Sequence, residues 1–232
     1  MYDELKQECF EANLQLPKLQ LVIYTFGNVS CADHSKGIFA IKPSGVDYET
    51  MRWQDMVIVD FEGRKVGGDL RYSSDTPTHA VLYREFPNTG SIVHTHSTYA
   101  VAWAQAHRAV PIYGTTHADH LPCDIPCTPP LSPEQINGEY EVETGNQIVD
   151  HFKTAQLNPE EVPMVLVSEH GPFVWGRNSS KAVYHAKVLE ELCRMALLTE
   201  QINPQAPRAS ETLIARHYQR KHGDKAYYGQ TK

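Results

Sequence analysis

The sequence from residue 164 to residue 175 reads Met-Val-Leu-Val-Ser-Glu-His-Gly-Pro-Phe-Val-Trp. Its first four residues form a short apolar run, which predicts a buried β-strand. A polar turn at residues 168–171 leads into a second apolar run, and this pattern predicts a hairpin of antiparallel strands. His170 leaves the core strand directly before Gly171, which permits close approach of the backbone, so its side chain is predicted to face a cleft.

Further strands and helices alternate irregularly on both sides of this hairpin. Alternating or continuous apolar runs predict strands at residues 21–30, 38–42, 56–59, after Gly63, at 91–96 and, as an edge strand, at 110–113. Helical spacing and capping signals predict helices at residues 3–16, 73–86, 97–107, 139–156, 178–201 and 210–221. This order favours a mixed or antiparallel central sheet between helical layers over a doubly wound parallel sheet. The 232 residues suit one α/β domain, or at most two small ones.

Charge and cysteine usage exclude several classes of protein. The formal net charge of −7 argues against non-specific binding to nucleic acid or to anionic membranes. No apolar run approaches the roughly 18 residues that span a bilayer, and the N-terminus lacks the pattern of a secretory signal. Five cysteines, an odd number, indicate a reduced, cytoplasmic protein. Cys123 and Cys127 could form half of a zinc site, or they are ordinary thiols.

Histidines provide the first indication of chemistry. His94 and His96 lie two residues apart in a predicted strand, so both side chains can point to one face. With His170 they could supply the three protein ligands of a catalytic zinc site, which keeps a fourth position open. The alternative is a pair of half-buried histidines that bind backbone carbonyls. Asp75 could add an oxygen ligand or a partner to a ligand, and His79 is a further possible ligand.

Three turns at residues 27–30, 42–45 and 73–74 carry glycine, serine or lysine beside predicted strand or helix ends. Small residues allow backbone N–H groups to approach an anion, although each turn taken singly is equally an ordinary one. None matches a nucleotide-binding motif. Asp119 and Tyr228 are possible proton carriers, but their spacing alone does not bring them to a metal, and both could be ordinary surface residues.

These segments, taken together, match a known family over nearly the whole chain. The matching motifs lie at residues 27–30, 41–47, 73–79, 92–97, 114–119, 136–141, 170–173 and 221–230. The chain resembles the L-ribulose-5-phosphate 4-epimerases of the class II aldolase/epimerase superfamily. The resemblance implies a single domain over residues 1–232, folded as a three-layer α/β/α sandwich around a mostly antiparallel sheet.

The resemblance also implies roles for individual residues. His94, His96 and His170 match the zinc-binding histidines, and Asp75 matches the acidic residue beside the metal. Asp119 and Tyr228 match the two catalytic acid/base residues. The residues that match those holding the substrate, mainly its phosphate, are Gly27, Asn28, Ser44, Gly45, Ser73 and Ser74. Three histidines and a carboxylate can hold Mn²⁺ or another divalent metal as well as Zn²⁺.

The implied reaction converts L-ribulose 5-phosphate to D-xylulose 5-phosphate by breaking and re-forming the C3–C4 bond. The implied assembly is a homotetramer with active sites between subunits, so that Tyr228 could reach the metal of the next chain. The alternative activity is that of an L-fuculose-1-phosphate aldolase. Those aldolases have a glutamate where Asp75 stands, and the shorter aspartate favours the epimerase. Arabinose and ascorbate catabolism both use the epimerase reaction, and the sequence does not choose between them.

Overall fold

A single antiparallel sheet forms the centre of the protein. The structure is a computed structural model that describes residues 2–223 and residue 226. Within these residues, seven strands pair antiparallel in the order β4-β3-β2-β1-β5-β7-β6. They are β1 (Asn28–Asp33), β2 (Ile38–Ile41), β3 (Val57–Asp60), β4 (Lys65–Gly67), β5 (Ser91–His94), β6 (Met164–Val167) and β7 (Gly171–Gly176). The predicted fold class, and with it the hairpin at residues 164–175, is therefore confirmed.

Helices cover both faces of this sheet. They are α1 (Asp3–Asn13), α2 (Gln15–Lys18), α3 (Thr76–Glu85), α4 (Thr98–Gln105), α5 (Thr115–Ala118), α6 (Pro133–Asn137), α7 (Tyr140–Thr154), α8 (Ser179–Ile202) and α9 (Glu211–His222), with a short 3-10 helix at Trp53–Asp55. Among the described residues, no helix combines the length and the apolar character needed to span a bilayer.

Neighbouring residues of the central strand β1 show how the layers are arranged. The hydroxyl of Ser30 is 2.7 Å from both Nδ1 of His79 and the hydroxyl of Tyr83, two residues of α3. The next side chain, Cys31, lies beside Cys9 of α1. Because successive strand side chains point to opposite faces, α1 and α3 cover opposite sides of the sheet. Helix α8 packs on α1 and α4, whereas α7 packs on α3, which completes the two outer layers.

The segment from residue 21 to residue 27 corrects one predicted strand. It is a loop, and β1 begins only at Asn28. Gln20, Tyr24 and Gly27 have left-handed backbone conformations, with φ angles of 58°, 52° and 74°, which interrupt any extended strand. Ile23 and Tyr24 are exposed rather than buried. The apolar run that predicted a core strand is thus a surface loop.

Smaller differences concern the ends of elements. The predicted edge strand at 110–113 is reduced to an isolated bridge between Val110 and Ile125. The predicted helix at 3–16 is divided into α1 and α2, and neither α5 nor α6 was predicted. The other predicted helices are present with ends shifted by a few residues, as is usual for sequence-based boundaries.

Strand pairing brings the predicted functional residues to one end of the sheet. Asn28 at the start of β1 pairs with His94 at the end of β5, and His94 pairs with Phe173 in β7. His170 occupies the turn between β6 and β7, at this same end.

Candidate functional site

Three histidine side chains meet at the end of β5 and at the turn between β6 and β7. Among the described residues, His94, His96 and His170 alone form a group of three or more possible metal ligands whose ligand atoms all lie within 4.8 Å of one another. Nε2 of His94 is 3.1 Å from Nε2 of His96. His96 lies beyond the end of β5, so the predicted alternation along a strand is not what aligns the two rings.

The ring of His94 is held from two sides. Its Nδ1 is 2.9 Å from the carbonyl oxygen of Pro172, and a carbonyl can only accept, so Nδ1 carries the proton. The ring also stacks on Phe173, with centroids 4.2 Å apart and an angle of 17° between planes. Nε2 of His94 therefore presents its lone pair to the other two histidines.

The environment of this group favours neutral imidazoles, the form that binds metals. Burial lowers the pKa of His170 to about 3, and the neighbouring His94 contributes to the shift. Burial also lowers the pKa of His96, followed by the effect of His94. The three donors fit a divalent cation, since neutral imidazoles suit zinc and several other transition metals.

Asp75 lies beside the three histidines and is held by two donors. Its Oδ2 accepts a hydrogen bond from Nδ2 of Asn28 at 2.6 Å and one from the hydroxyl of Ser73 at 3.2 Å. Burial opposes ionisation, but the adjacent histidines and the Asn28 amide lower the pKa of Asp75 overall. The buried Oδ1 of Asn28 has no hydrogen-bond partner among the described residues.

An open cavity of about 520 Å³ lies next to this group. It brings together all six residues predicted to hold the substrate, along with Asp75, His96 and His170. Its walls are formed by Thr25, Phe26, Gly27, Asn28, Lys42, Pro43, Ser44, Gly45, Ser73, Ser74, Asp75, His96, Tyr140, Glu141 and His170. The three turns that are far apart in sequence thus line one cavity.

Gly27 has no space for a side chain. A Cβ atom there would lie 2.8 Å from Cγ1 of Val22 and 2.9 Å from the carbonyl oxygen of His94. The φ angle of 74° also disfavours any other residue. The loop that borders the cavity can therefore approach the end of β5 only with glycine at this position.

Lys42 places a buried cation in the cavity wall. Its Nζ is 3.3 Å from the carbonyl oxygen of Thr25 and 3.4 Å from that of Pro43, and it lies 4.9 Å from the ring centroid of Tyr48. Within the described part of the chain, no carboxylate forms a salt bridge with it. Burial lowers its pKa to about 8. A lysine so buried without an acidic partner is unusual and suits an anionic ligand.

Tyr140 and Glu141 line the cavity, although no chemical reason to select them was visible in the sequence. They open α7, and their segment stood out only as a matching motif. Lys42 had a stronger signal, because it opens one of the turns predicted to approach an anion. Its burial without a salt bridge, however, depends on tertiary packing that the sequence does not reveal.

Most of the chain matches one known protein family. The family model described as "Class II Aldolase and Adducin N-terminal domain" matches residues 7–197. The chain belongs to this class II aldolase family. The match covers α1 to α8 and therefore includes the three histidines and the cavity.

Solved structures of class II aldolases have the same fold. An L-fuculose 1-phosphate aldolase is 22% identical, with a TM-score of 0.78, over 94% of this chain and 95% of that one. The L-fuculose 1-phosphate aldolase from Glaciozyma antarctica is 19% identical, with a TM-score of 0.76, over 97% and 84%. The l-fuculose-1-phosphate aldolase from Thermus thermophilus is 21% identical, with a TM-score of 0.67, over 88% and 98%. At these identities the likeness establishes the fold.

One of the two predicted proton carriers, Asp119, does not line the cavity that the described residues of this class II aldolase chain form. Asp119 follows α5, where its carboxylate accepts hydrogen bonds from Nδ1 of His217 at 2.9 Å and from Arg220 at 3.1 and 2.8 Å. Burial opposes ionisation of Asp119, but Arg220 and His217 lower its pKa overall. Tyr228 lies outside the described residues.

The sequence also suggested His79 and the pair Cys123 and Cys127 as metal ligands. Among the described residues of this class II aldolase chain, none of them belongs to the three-histidine group. His79 is fully buried, with Nδ1 2.7 Å from the hydroxyl of Ser30, and burial lowers its pKa to about 3. All five cysteines are free thiols, and Cys127 contacts the hydroxyl of Ser168 at 3.4 Å. Neither His79 nor the pair Cys123 and Cys127 belongs to a group of three possible metal ligands among the described residues.

Proposed function

We propose that the chain is a zinc-dependent epimerase that interconverts L-ribulose 5-phosphate and D-xylulose 5-phosphate. The observation that carries this proposal is the three-histidine group beside a cavity whose wall contains a buried lysine, Lys42, with no salt bridge among the described residues. Family membership supports a metal-dependent sugar-phosphate enzyme, and the motifs that resemble the 4-epimerases support the choice of substrate. We further propose that residues 1–232 form one domain of a cytoplasmic enzyme.

In this proposal, His94, His96 and His170 hold the zinc ion, and Asp75 lies beside it. Three protein ligands leave a position open for a substrate oxygen, as in other catalytic zinc sites. When bound, the metal acts as a Lewis acid that polarises the substrate carbonyl and stabilises the negative charge formed next to it. Asn28 keeps the Asp75 carboxylate in place through the hydrogen bond of 2.6 Å.

The opposite end of the substrate requires a site for its phosphate. Lys42 supplies a positive charge, and Ser44 and Ser74 supply hydroxyl donors on the same cavity wall. Ser73 lines this wall too, but its hydroxyl donates to Asp75. The glycines Gly27 and Gly45 let backbone N–H groups approach the phosphate oxygens. This arrangement fits a sugar phosphate, in which carbonyl and phosphate lie at opposite ends of a short chain.

The proposed reaction breaks and re-forms one carbon–carbon bond. A base removes the proton from the C4 hydroxyl, and the C3–C4 bond breaks to give glycolaldehyde phosphate and a three-carbon fragment. The aldehyde turns, and bond formation on its other face inverts C4. Inversion requires proton carriers on two sides of the aldehyde, and we assign these roles to Asp119 and Tyr228.

Asp119 is absent from the cavity wall within one chain, so we propose that a second copy supplies it in a homotetramer. The loop at residues 23–26 supports an intersubunit site. It carries exposed apolar side chains, with Tyr24 82% exposed, and its end lines the cavity. An exposed apolar surface at the mouth of a polar cavity is typical of a protein–protein contact.

A class II aldolase that cleaves L-fuculose 1-phosphate is the second candidate. It is favoured by the solved structures of similar fold, which are L-fuculose 1-phosphate aldolases. Asp75 favours the epimerase, because the resemblance to this superfamily implies a glutamate at this position in those aldolases. Both candidates use the same metal and phosphate sites, so only the products distinguish them.

A coupled assay tests the proposal. The full chain is incubated with L-ribulose 5-phosphate, with and without added Zn²⁺, and D-xylulose 5-phosphate is measured. We expect metal-dependent product formation that is lost, together with bound zinc, in His96→Asn. Release of an aldehyde from L-fuculose 1-phosphate, without conversion of L-ribulose 5-phosphate, would favour the aldolase. A protein that binds zinc but turns over neither substrate would be a non-catalytic member of the family.

A further inference from the structure

Tyr140 is the first residue of α7, and its half-buried side chain lines the cavity beside His170. Its hydroxyl oxygen is 3.4 Å from Nδ1 of His170. The two rings are nearly parallel, with an angle of 28° between planes and 6.1 Å between centroids. Tyr140 therefore contacts the one histidine of the three that belongs to the β6–β7 turn.

The start of α7 is firmly attached to α3, which fixes the position of Tyr140. The hydroxyl of Thr78 donates to the carbonyl oxygen of Glu141 at 2.6 Å. One turn later, Gly145 packs so closely that an added Cβ would lie 2.7 Å from Cβ of Val81. The tyrosine hydroxyl is thus presented to His170 from a rigid helix pair rather than from a loop.

His94 and His170 have similar surroundings, because Nδ1 of each ring faces an oxygen atom outside the three-histidine group. In His94, Nδ1 donates to the carbonyl oxygen of Pro172, and Nε2 faces the group. In His170, Nδ1 faces the hydroxyl of Tyr140 in the corresponding place. A histidine that binds a metal through one ring nitrogen usually donates from the other, and this outer hydrogen bond sets its tautomer and ring orientation.

We infer that Tyr140 is a positioning residue for the metal site: its hydroxyl oxygen accepts the Nδ1–H of His170 and leaves Nε2 free to bind the metal. The inference rests on the proposed metal site and deepens it. The hydroxyl proton of Tyr140 stays available to donate toward the cavity. Tyr140 acts on the metal through His170 and is not itself a ligand.

The test is the zinc affinity of Tyr140→Phe, which removes the hydroxyl and keeps the ring. Zinc binding to the metal-free full chain is measured by competition with a coloured chelator at fixed pH. We expect the dissociation constant to rise about tenfold or more, the usual effect of losing such an outer partner. Tyr184→Phe is the matched control, because its hydroxyl lies 2.7 Å from Nε2 of His120, outside the three-histidine group. The control is expected to keep the affinity of the original chain.

A spectroscopic measurement supports the affinity data. The d–d absorption of the Co²⁺-loaded protein reports the geometry of the ligands, and we expect it to change in Tyr140→Phe but not in Tyr184→Phe. If Tyr140→Phe does not fold, as judged by circular dichroism, Tyr140→Met tests the loss of the same hydroxyl.

Failure of the inference differs from failure of the proposed function. If the original chain and His96→Asn bind zinc equally, the metal site itself is wrong. If His96→Asn loses zinc while Tyr140→Phe matches the original chain in affinity and in Co²⁺ spectrum, the metal site stands and the role of Tyr140 is refuted.

Discussion

Lys42 is unusual because its amine is buried, whereas the amine of most lysines lies in solvent. Its pKa is lowered to about 8 by burial, so its charge is lost at a pH where an exposed lysine keeps it. If it binds the substrate phosphate, the affinity for inorganic phosphate should fall as the pH rises above about 8. A bound anion favours the charged lysine, so the fraction of protein with bound phosphate should begin to fall at a higher pH as phosphate concentration increases.

We predict that Lys42→Met weakens phosphate binding roughly tenfold at pH 7, because a charge-assisted hydrogen bond is lost. It should also remove the decrease in affinity above pH 8. Isothermal titration with inorganic phosphate measures both effects. Lys36→Met is the control, since Lys36 is exposed and pairs with Asp33 at 2.6 Å. An unchanged affinity in Lys42→Met would place the phosphate elsewhere.

His117 in α5 gives a prediction about acid stability. Burial lowers its pKa to about 4, and its Nε2 has no hydrogen-bond partner in the part of the chain that the structure describes. Because the folded value lies below the unfolded value of about 6.5, the unfolded chain binds more protons between these pH values. The contribution is complete above pH 6.5 and is lost as the pH falls toward 4.

Between pH 7 and pH 5, the titration of His117 should cost on the order of 2 kcal/mol of unfolding free energy. His117→Leu should therefore lose less stability over this interval than the original chain, by about that amount. Urea unfolding at the two pH values measures the difference. Parallel losses in both proteins would mean that His117 is accessible to protons in the folded state.

At the scale of single residues, spacing correctly predicts that the side chains of His94 and His96 come together, but for the wrong reason. His94 and His96 were selected because strand residues two apart share a face, yet His96 lies beyond the end of β5. The convergence of the rings depends on how the chain leaves the strand. The fixed tautomer of His94 depends on Pro172, which is far away in sequence, and no local pattern reveals such a contact.

Among the elements, α8 is tied to the segment that follows His96. The carboxylate of Glu190 accepts hydrogen bonds from the backbone N–H groups of Tyr99 and Ala100, each at 3.0 Å. Glu190 thus caps the N-terminus of α4, because the side chain of the N-cap residue Ser97 forms no capping hydrogen bond among the described residues. A negative charge at this end of a helix is favourable, and Glu190 is 7% exposed.

We predict that Glu190→Ala lowers the unfolding free energy by about 2–3 kcal/mol, because two buried N–H groups lose their acceptor. Glu190→Gln should lose less, since an amide oxygen can still accept. Glu191→Ala on the same helix is the matched control. It removes only part-exposed ion pairs, with Lys187 at 2.8 Å and with Arg194 at 3.8 Å, and should cost about 0.5–1 kcal/mol. Equal effects at positions 190 and 191 in denaturant unfolding would contradict the capping role.

Helices and strands were predictable where the local sequence pattern and the tertiary packing favour the same structure. The hairpin at residues 164–175 has buried apolar strands, and Glu169 in its polar turn is exposed. The loop at 21–27 has the composition of a strand, but Ile23, Tyr24 and Phe26 are exposed at the surface, whereas Leu21 is buried in the core. A single sequence does not distinguish apolar residues that face the core from those available to another chain.

For the whole molecule, the main question is how Asp119 could act on a substrate at the three histidines. Two exposed apolar regions bear on it. One is the loop at residues 23–26, at the mouth of the cavity. The other comprises Met195, Leu198 and Ile202 on α8, which border a groove shared with α5, the helix that Asp119 follows. Two different patches suit a head-to-tail contact, which closes into a ring of identical subunits.

Such a ring predicts complementation between two inactive variants. In His96→Asn the histidine group is incomplete, and in Asp119→Asn the proposed proton carrier is missing. In the proposed homotetramer, the assembly of either variant alone should therefore be inactive. The two variants carry different tags, are co-expressed and are purified through both tags. A site between adjacent subunits is intact when its histidines come from an Asp119→Asn chain and its Asp119 comes from a His96→Asn chain. Random mixing leaves about a quarter of such sites intact.

We therefore expect mixed tetramers to recover about one quarter of the original epimerase activity, whereas a mixture of the two preformed homotetramers should stay inactive. Analytical ultracentrifugation checks that the assembly is the same in all samples. If each site were built within one chain, every chain of the mixed assembly would carry one defect and no activity would return. The size of the recovery thus distinguishes an intersubunit site from an intrachain one without any knowledge of the interface in detail.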